Sequence, residues 1–260
     1  MKQWQSYHVY MDWKEQDAFI GTSLRQVFES SADNSPENNF FFIRYSDAAQ
    51  AEVDGTENPA DPGSHLRIRV FDSSNGFFPG QSNLVKRVIV SQYERETQRY
   101  GGSKCMPSSE RCFCLDSILV CDALHLMLSI ESELPKAFRW SLAIQLSSNY
   151  LRLFASEFEQ RKALHDALTF WSQRVGFIGF TQEWYARTKK RFNDTRTDRR
   201  IIDLLQAHWG GLQNETSLSR RPSVLLSHMH MAMNRCGLSQ SEEYAATAFL
   251  LMQLEGTTET

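Results

Sequence analysis

Three short stretches of the chain carry side chains whose types and spacing suit chemistry. The first is HLRIRVF, residues 65 to 71. Leu66, Ile68 and Val70 alternate with His65, Arg67 and Arg69, and in an extended chain the two sets point to opposite faces. One face is aliphatic; the other lines up an imidazole and two guanidiniums. Adjacent cations repel unless an anion or carboxylates stand between them. The planar fork of arginine also grips a carboxylate through two hydrogen bonds, which lysine cannot do. The ordinary alternative is an edge strand with a wet outer face, its arginines paired to surface carboxylates.

The second stretch is YERETQRYGG, 93 to 102. On a helix, Arg95 and Arg99 share a face, and Glu96 and Arg99 are neighbours. Taken alone, this is a helix C-terminus laced by ion pairs and favoured by the dipole. The third is HMHMAMNR, 228 to 235. Residues two apart on a helix diverge by roughly 200°. His228 and His230 therefore cannot ligate a metal in the His-x-x-x-His manner. One can face a cleft while the other points elsewhere. A histidine takes or returns a proton near neutral pH, whereas the interleaved methionines more often mean packing.

Other chemistries have no foothold. There is no Gly-rich phosphate loop, nucleophile elbow or zincin pattern. Cys112, Cys114 and Cys121 read as small buried hydrophobes on a helix, and their spacing is not that of a zinc finger or ribbon. No metal and no cofactor is expected.

The elements that must position these residues fall into two parts. WQSYHVYM, 4 to 11, alternates like a strand. DAFIGTSLRQVFESS has helical spacing, with Asp17 near its start. FFFIRYSD, 40 to 47, reads as a strand, and its continuous apolar start predicts a central position buried on both sides. The acidic, Gly- and Pro-rich stretch 48 to 64 reads as a loop between strands. SNLVKRVIVSQYERETQRYGG reads as a helix, or a strand and then a helix, stopped by Gly101 and Gly102. Beyond it the chain is mostly helical. SSERCFCLDSILVCDALHLMLS shows a capping pattern at Ser108 and Ser109. A helix opening at Pro135 follows, then FEQRKALHDALTFWSQRV, a basic amphipathic stretch from 181 to 210, and two helices joined near Gly237. This predicts an α+β fold: a small mixed or antiparallel sheet with helices packed on it, then a mostly helical C-terminal half sharing the core. We expect one domain over 1–260, mixed over 1–103 and helical over 104–260.

The chain has 260 residues, 41% hydrophobic and 12% aromatic, enough for a sizeable core. A net charge of −3 argues against a general nucleic-acid or membrane-surface binder. No apolar run approaches the roughly 20 residues needed to span a bilayer, and MKQWQSYHVY is no signal peptide. Five cysteines, an odd number, imply no disulfide framework and suit a reducing cytoplasm.

Taken in order, WQSYHVYM, FFFIRYSD, HLRIRVF, YERETQRYGG, MPSSERCFCLDS, SHMHMAMNR and SEEYAATAFLL resemble the C-terminal, glutamate-elimination domain of class I lanthipeptide dehydratases. That domain also occurs as free-standing thiopeptide-type bacteriocin biosynthesis proteins. The resemblance spans nearly the whole chain. The family's usual tryptophan or tyrosine before the IRYSD core is here a phenylalanine. It implies an enzyme that removes the α proton and expels glutamate from a Ser or Thr esterified from glutamyl-tRNA, leaving dehydroalanine or dehydrobutyrine. By motif match, Arg67 and Arg69 take the places of the family's paired strand arginines. Glu96 and Arg99 match the acidic and basic residues before the double glycine. His228 matches the histidine of the HM…NR segment, with His230 in reserve because the repeated HMH blurs the register. The expected catalytic set is thus His228, Arg69, Arg99 and Glu96. Arg67, Arg69, Arg99 and His230 are expected to bind substrate.

The same scaffold resembles the pyridine synthases of thiopeptide pathways, which join two dehydroalanines by aza-cycloaddition and release the leader peptide. Those tend not to keep the full glutamate-gripping set, so elimination is preferred here. A non-catalytic subunit presenting the precursor peptide is a third possibility. With no room for a glutamylation domain in the chain, elimination implies a separate glutamyl-transfer protein and a leader-bearing precursor peptide as partners. Direct contact with nucleic acid or a membrane is not expected. The acidic loop 48–64 and the basic stretch 188–200 could dock either partner, or be solvated surface.

Overall fold

The computed structural model describes residues 4–26, 40–45, 63–71, 82–131, 136–176, 178–194 and 198–256. Four strands, β1 (Trp4–Tyr10), β2 (Phe40–Tyr45), β3 (His65–Phe71) and β4 (Arg87–Gln92), form one antiparallel sheet in the order β2-β3-β1-β4. A short helix α1 (Gln16–Phe19) follows a 3-10 turn and runs into a π-helical turn. The rest is helical: α2 (Met106–Leu128), α3 (Lys136–Leu151), α4 (Glu157–Val175), α5 (Gln182–Asp194), α6 (Arg199–Asn214), α7 (Pro222–Arg235) and α8 (Gln240–Gly256). This is the expected α+β class. Among the described residues, no helix is long and apolar enough to cross a membrane.

Alternation sets the sheet. Val9 pairs with Leu66, and Ile68 stands between Tyr7 and Phe42. These side chains enter one apolar cluster that also holds Leu124, Leu146, Leu205 and Phe249 from the helices. Apolar burial of this kind is worth about 25 cal/mol per Å². β3 is an inner strand, so the wet-edge explanation of its arginines does not hold. β2, expected to be central, is instead an outer strand of the sheet. Its Phe40, Phe41 and Phe42 are nonetheless buried, because α2 and α7 pack against it. Its backbone is tied to α7 as well: Asn234 Oδ1 accepts from Arg44 N, and Asn234 Nδ2 donates to Arg44 O, both at 2.9 Å.

Three other expectations change. Residues 93 to 101 form coil and turns, not a helix, so Arg95 and Arg99 share no helical face. Helix α2 starts at Met106, with Pro107 in its first turn; Ser108 and Ser109 lie inside it and are buried. The basic stretch from 181 forms two helices, α5 and α6, the latter capped by Asp198, whose Oδ1 accepts from Arg200 N at 2.8 Å. Most of the acidic loop, 48–62, lies outside the described residues. The cysteines of α2 are buried free thiols, pushed up by desolvation, as small hydrophobes would be.

Candidate functional site

The face of the sheet opposite the core is lined in three rows. Ser6 and Phe41 flank Arg69; His8 and Ile43 flank Arg67; Tyr10 and Tyr45 flank His65. The His65 ring is stacked between Tyr10 (4.8 Å) and Tyr45 (5.0 Å). Arg67 donates to the Tyr45 hydroxyl at 3.1 Å, its guanidinium lying against that ring. Arg69 lies between Phe41 (5.3 Å) and Tyr93 (5.1 Å) and is 9% exposed. Among the described residues, its buried Nε and Nη1 have no hydrogen-bond partner. Among the described residues, no carboxylate pairs with Arg67 or Arg69. Desolvation draws the Arg69 guanidinium below its usual range. Glu110, beside Tyr93, is committed to Arg95 through two bonds of 2.7 and 2.9 Å.

A buried guanidinium without a counter-charge is costly, and the cost is relieved by an anion that brings acceptor oxygens. Such a face can accept a carboxylate. Arginine's two parallel donors and the aromatic walls would orient it.

The turn after β4 carries Glu96 and Arg99. Arg99 N donates to Glu96 O at 3.0 Å, and the side chains pair at 3.0 Å on the surface. Gly101 (φ 88) and Gly102 (φ 99) then turn the chain into α2. A Cβ at Gly101 would stand 2.6 Å from that of Ser219, so only glycine fits there. Arg99 also reaches a cleft of about 570 Å³ lined by Trp171 and Arg174 of α4, His230 of α7 and Glu243 of α8. In it, His230 Nδ1 and Glu243 Oε2 are 2.6 Å apart. Glu243 is buried and desolvation pushes its carboxyl upward, while the His230 side chain is 30% exposed and lies against Trp171. As a carboxylate, Glu243 accepts from Nδ1–H. That leaves the Nε2 lone pair of His230 free to take a proton.

His228 is placed differently. It is fully buried, with Nε2 3.3 Å from Ser109 Oγ and its ring stacked on Tyr150 and edge-on to Tyr100. Desolvation pulls its imidazole down to about 3, so it is neutral at pH 7. The two histidines diverge as their spacing requires: one joins the core, the other the cleft.

Tyr100 links the stretches. Burial raises its phenol to about 12, while Arg99, Arg235 and Arg69 all act on it in the opposite sense. Arg99 likewise acts on both His228 and Glu243. The structure thus brings Arg69, Arg99 and His228 around one aromatic cluster of Phe41, Tyr100 and Phe113, with His230 in the cleft that Arg99 enters. Arg67 belongs to the sheet face beside Arg69, and Glu96 stays on the surface as the partner of Arg99.

Sequence reasoning missed the groups that hold this arrangement. Asp116 is fully buried. Its Oδ1 accepts from Tyr150 OH (2.9 Å) and meets His208 Nε2 (2.8 Å), while Oδ2 pairs with Arg235 Nη1 at 3.2 Å. Arg235 Nε also donates to Ser117 Oγ, so one carboxylate joins α2, α3, α6 and α7. Asp17 does the same for α1, β2 and α3: it pairs with buried Arg44 at 2.7 Å and with Arg139. The available signal was a lone acid within an apolar helical run, as in CFCLDSILV. Glu243, likewise, stands where α8 turns apolar.

Residues 4–254 match the family model described as lantibiotic biosynthesis dehydratase, C-terminal. The chain is 22% identical over 254 residues to the subtilin biosynthesis protein SpaB of Bacillus subtilis, covering 93% of this chain but 22% of the relative. Among solved structures, the tRNA-dependent lantibiotic dehydratase MibB from Microbispora sp. 107891 matches with a TM-score of 0.67 and 17% identity, over 98% of this chain and 28% of that one. The pyridine synthase TbtD from thiomuracin biosynthesis matches with a TM-score of 0.51 and 12% identity, over 98% of both chains. These structural matches concern the fold alone. The chain spans about a quarter or less of the lantibiotic relatives' length.

Proposed function

This chain belongs to the lantibiotic biosynthesis dehydratase C-terminal family, and from that premise we propose that it expels glutamate from glutamylated Ser or Thr of a precursor peptide. The product is dehydroalanine or dehydrobutyrine, which makes the chain a carbon–oxygen lyase. The observation that carries this is the buried guanidinium of Arg69 beside Arg67, on a face that among the described residues has no carboxylate and leaves Arg69 Nε and Nη1 without a hydrogen-bond partner. Glutamate leaves as a carboxylate, and fixed donors favour charge that develops as the Cβ–O bond breaks. Arg67 and Arg69 would hold the glutamyl group, and Arg99 would steady the departing charge from the cleft side while paired with Glu96.

The α proton needs a base. The resemblance points first to His228, whose imidazole is fully enclosed in the core. His230 is oriented by Glu243 and open to the cleft, and is the better candidate. The proton goes to His230 Nε2, the C–H electron pair forms the Cα=Cβ bond, and glutamate departs with the Cβ–O pair. No cofactor is needed for this step. The partners would be the leader-bearing precursor peptide and a glutamyl-transfer activity that supplies the ester. Five free cysteines suit a reducing cytoplasm.

Aza-cycloaddition is the alternative, since a pyridine synthase shares the fold over 98% of this chain. Incubation with a chemically glutamylated peptide, read by mass, tests the proposal. Loss of glutamic acid supports it. An intact ester, with a bis-dehydroalanine peptide cyclised instead, speaks for the alternative. Inactivity towards both, with the precursor peptide still bound, speaks for a peptide-presenting subunit.

A further inference from the structure

His8 belongs to none of the three stretches that the sequence singles out, yet it sits at the middle of the arginine face. It stands directly across from Arg67 in the β1–β3 register and across from Ile89 on β4. Opposed residues of an antiparallel pair have Cβ atoms roughly 5 Å apart. Its ring lies 5.5 Å from that of His65, nearly parallel to it, and its Nε2 is 3.1 Å from Ser91 Oγ. The groups around it are Ser6 and Tyr10 on its own strand, His65, Arg67 and Arg69 on β3, Tyr45 on β2, and Arg87 and Ser91 on β4. Among the described residues this face has cations and hydroxyls but no carboxylate.

We propose that His8 is a third group of the carboxylate site, taking up a proton when a glutamate carboxylate seats against Arg67 and Arg69. This rests on the reading of that face as a carboxylate site. In the empty face, partial burial and the fields of Arg67, His65 and Arg69 hold the imidazole down to about 4, so it is neutral. A carboxylate lying between the arginines cancels much of that field and adds an attraction of its own, which restores the basicity of His8. The proton comes from solvent, and His8 then presents a further N–H to the anion. Release of glutamate returns the proton.

The sign follows. Between pH 4 and the higher value in the complex, the bound form holds more protons than the empty one. Affinity for glutamate therefore falls as pH rises through that window, by up to about tenfold per pH unit. The proposal is tested with L-glutamate. Calorimetric titrations between pH 5.5 and 7.5, in buffers of different ionisation enthalpy, count protons taken up, and imidazole NMR follows His8 directly. The expected result is proton uptake at pH 6 and a downward trend in affinity with pH, both lost in His8→Asn. Glutamate binding with no proton uptake, or uptake that survives in His8→Asn, overturns this inference and leaves the carboxylate site standing. No glutamate binding at any pH overturns both.

Discussion

Nδ1 of His230 lies 2.6 Å from Oε2 of Glu243, and that contact ties α7 to α8 at the cleft that Arg99 enters. A buried acceptor on one ring nitrogen leaves the other as a directed base. His230→Asn should lower elimination by roughly 10²- to 10⁴-fold. Glu243→Gln should give a smaller loss in kcat, since an amide still touches Nδ1 but no longer stabilises the imidazolium. Steady-state kinetics on a glutamylated peptide would read both, and unaltered turnover in His230→Asn would remove it from the mechanism.

Arg69 separates function from stability. Its guanidinium is nearly buried and unpaired, so Arg69→Leu should abolish elimination while stability is unchanged or higher by about 1 kcal/mol. Arg69→Lys should not restore activity, because a point charge cannot replace the fork. Urea midpoints beside peptide turnover would test the pair. A clearly less stable Arg69→Leu would mean that the guanidinium is a structural partner rather than an open site.

His228 should behave as a core residue. Its folded value is depressed to about 3, below the ordinary 6.5, so the unfolded chain binds the extra proton first as pH falls. Stability present above pH 6.5 is therefore lost progressively as pH drops towards 3, by up to about 5 kcal/mol from this residue. His8 contributes in the same direction. His228→Leu should flatten the pH dependence of the urea midpoint and keep elimination activity at pH 7. Loss of turnover with an intact fold would return the chemistry to His228.

Asp116 is the joint of the helical part. Removing one member of a buried, hydrogen-bonded charge network leaves its partners unpaired. Asp116→Ala should cost about 3–5 kcal/mol, seen in chemical denaturation, because Arg235 would remain buried without its counter-charge.

Much of this was legible beforehand, for reasons of period. Alternation in HLRIRVF assigns Arg67 and Arg69 to one face without any coordinates, and residues two apart on a helix must diverge, as His228 and His230 do. The position of β2 was misjudged because a continuous apolar run reports burial on both sides and says nothing about which neighbour provides it. Here α2 and α7 do so in place of a strand. YERETQRYGG was misread as a helix because ion-pair spacing at i, i+3 also arises in a turn, as Glu96 and Arg99 form one. The roles of Asp116, Asp17 and Asn234 could not be read from the sequence, because their partners lie far away in the chain. Asn234, for example, meets Arg44 across 190 residues. Choosing between the histidines needed burial, which spacing cannot supply.

The most direct test of the central claim places two substrates in one tube. A peptide with one glutamylated serine and a peptide with two dehydroalanines are incubated together with the protein and followed by mass. The account predicts that the first loses glutamic acid and gains a dehydroalanine, that Arg69→Leu stops this, and that the second is untouched. Cyclisation of the second peptide with the ester left intact would contradict it.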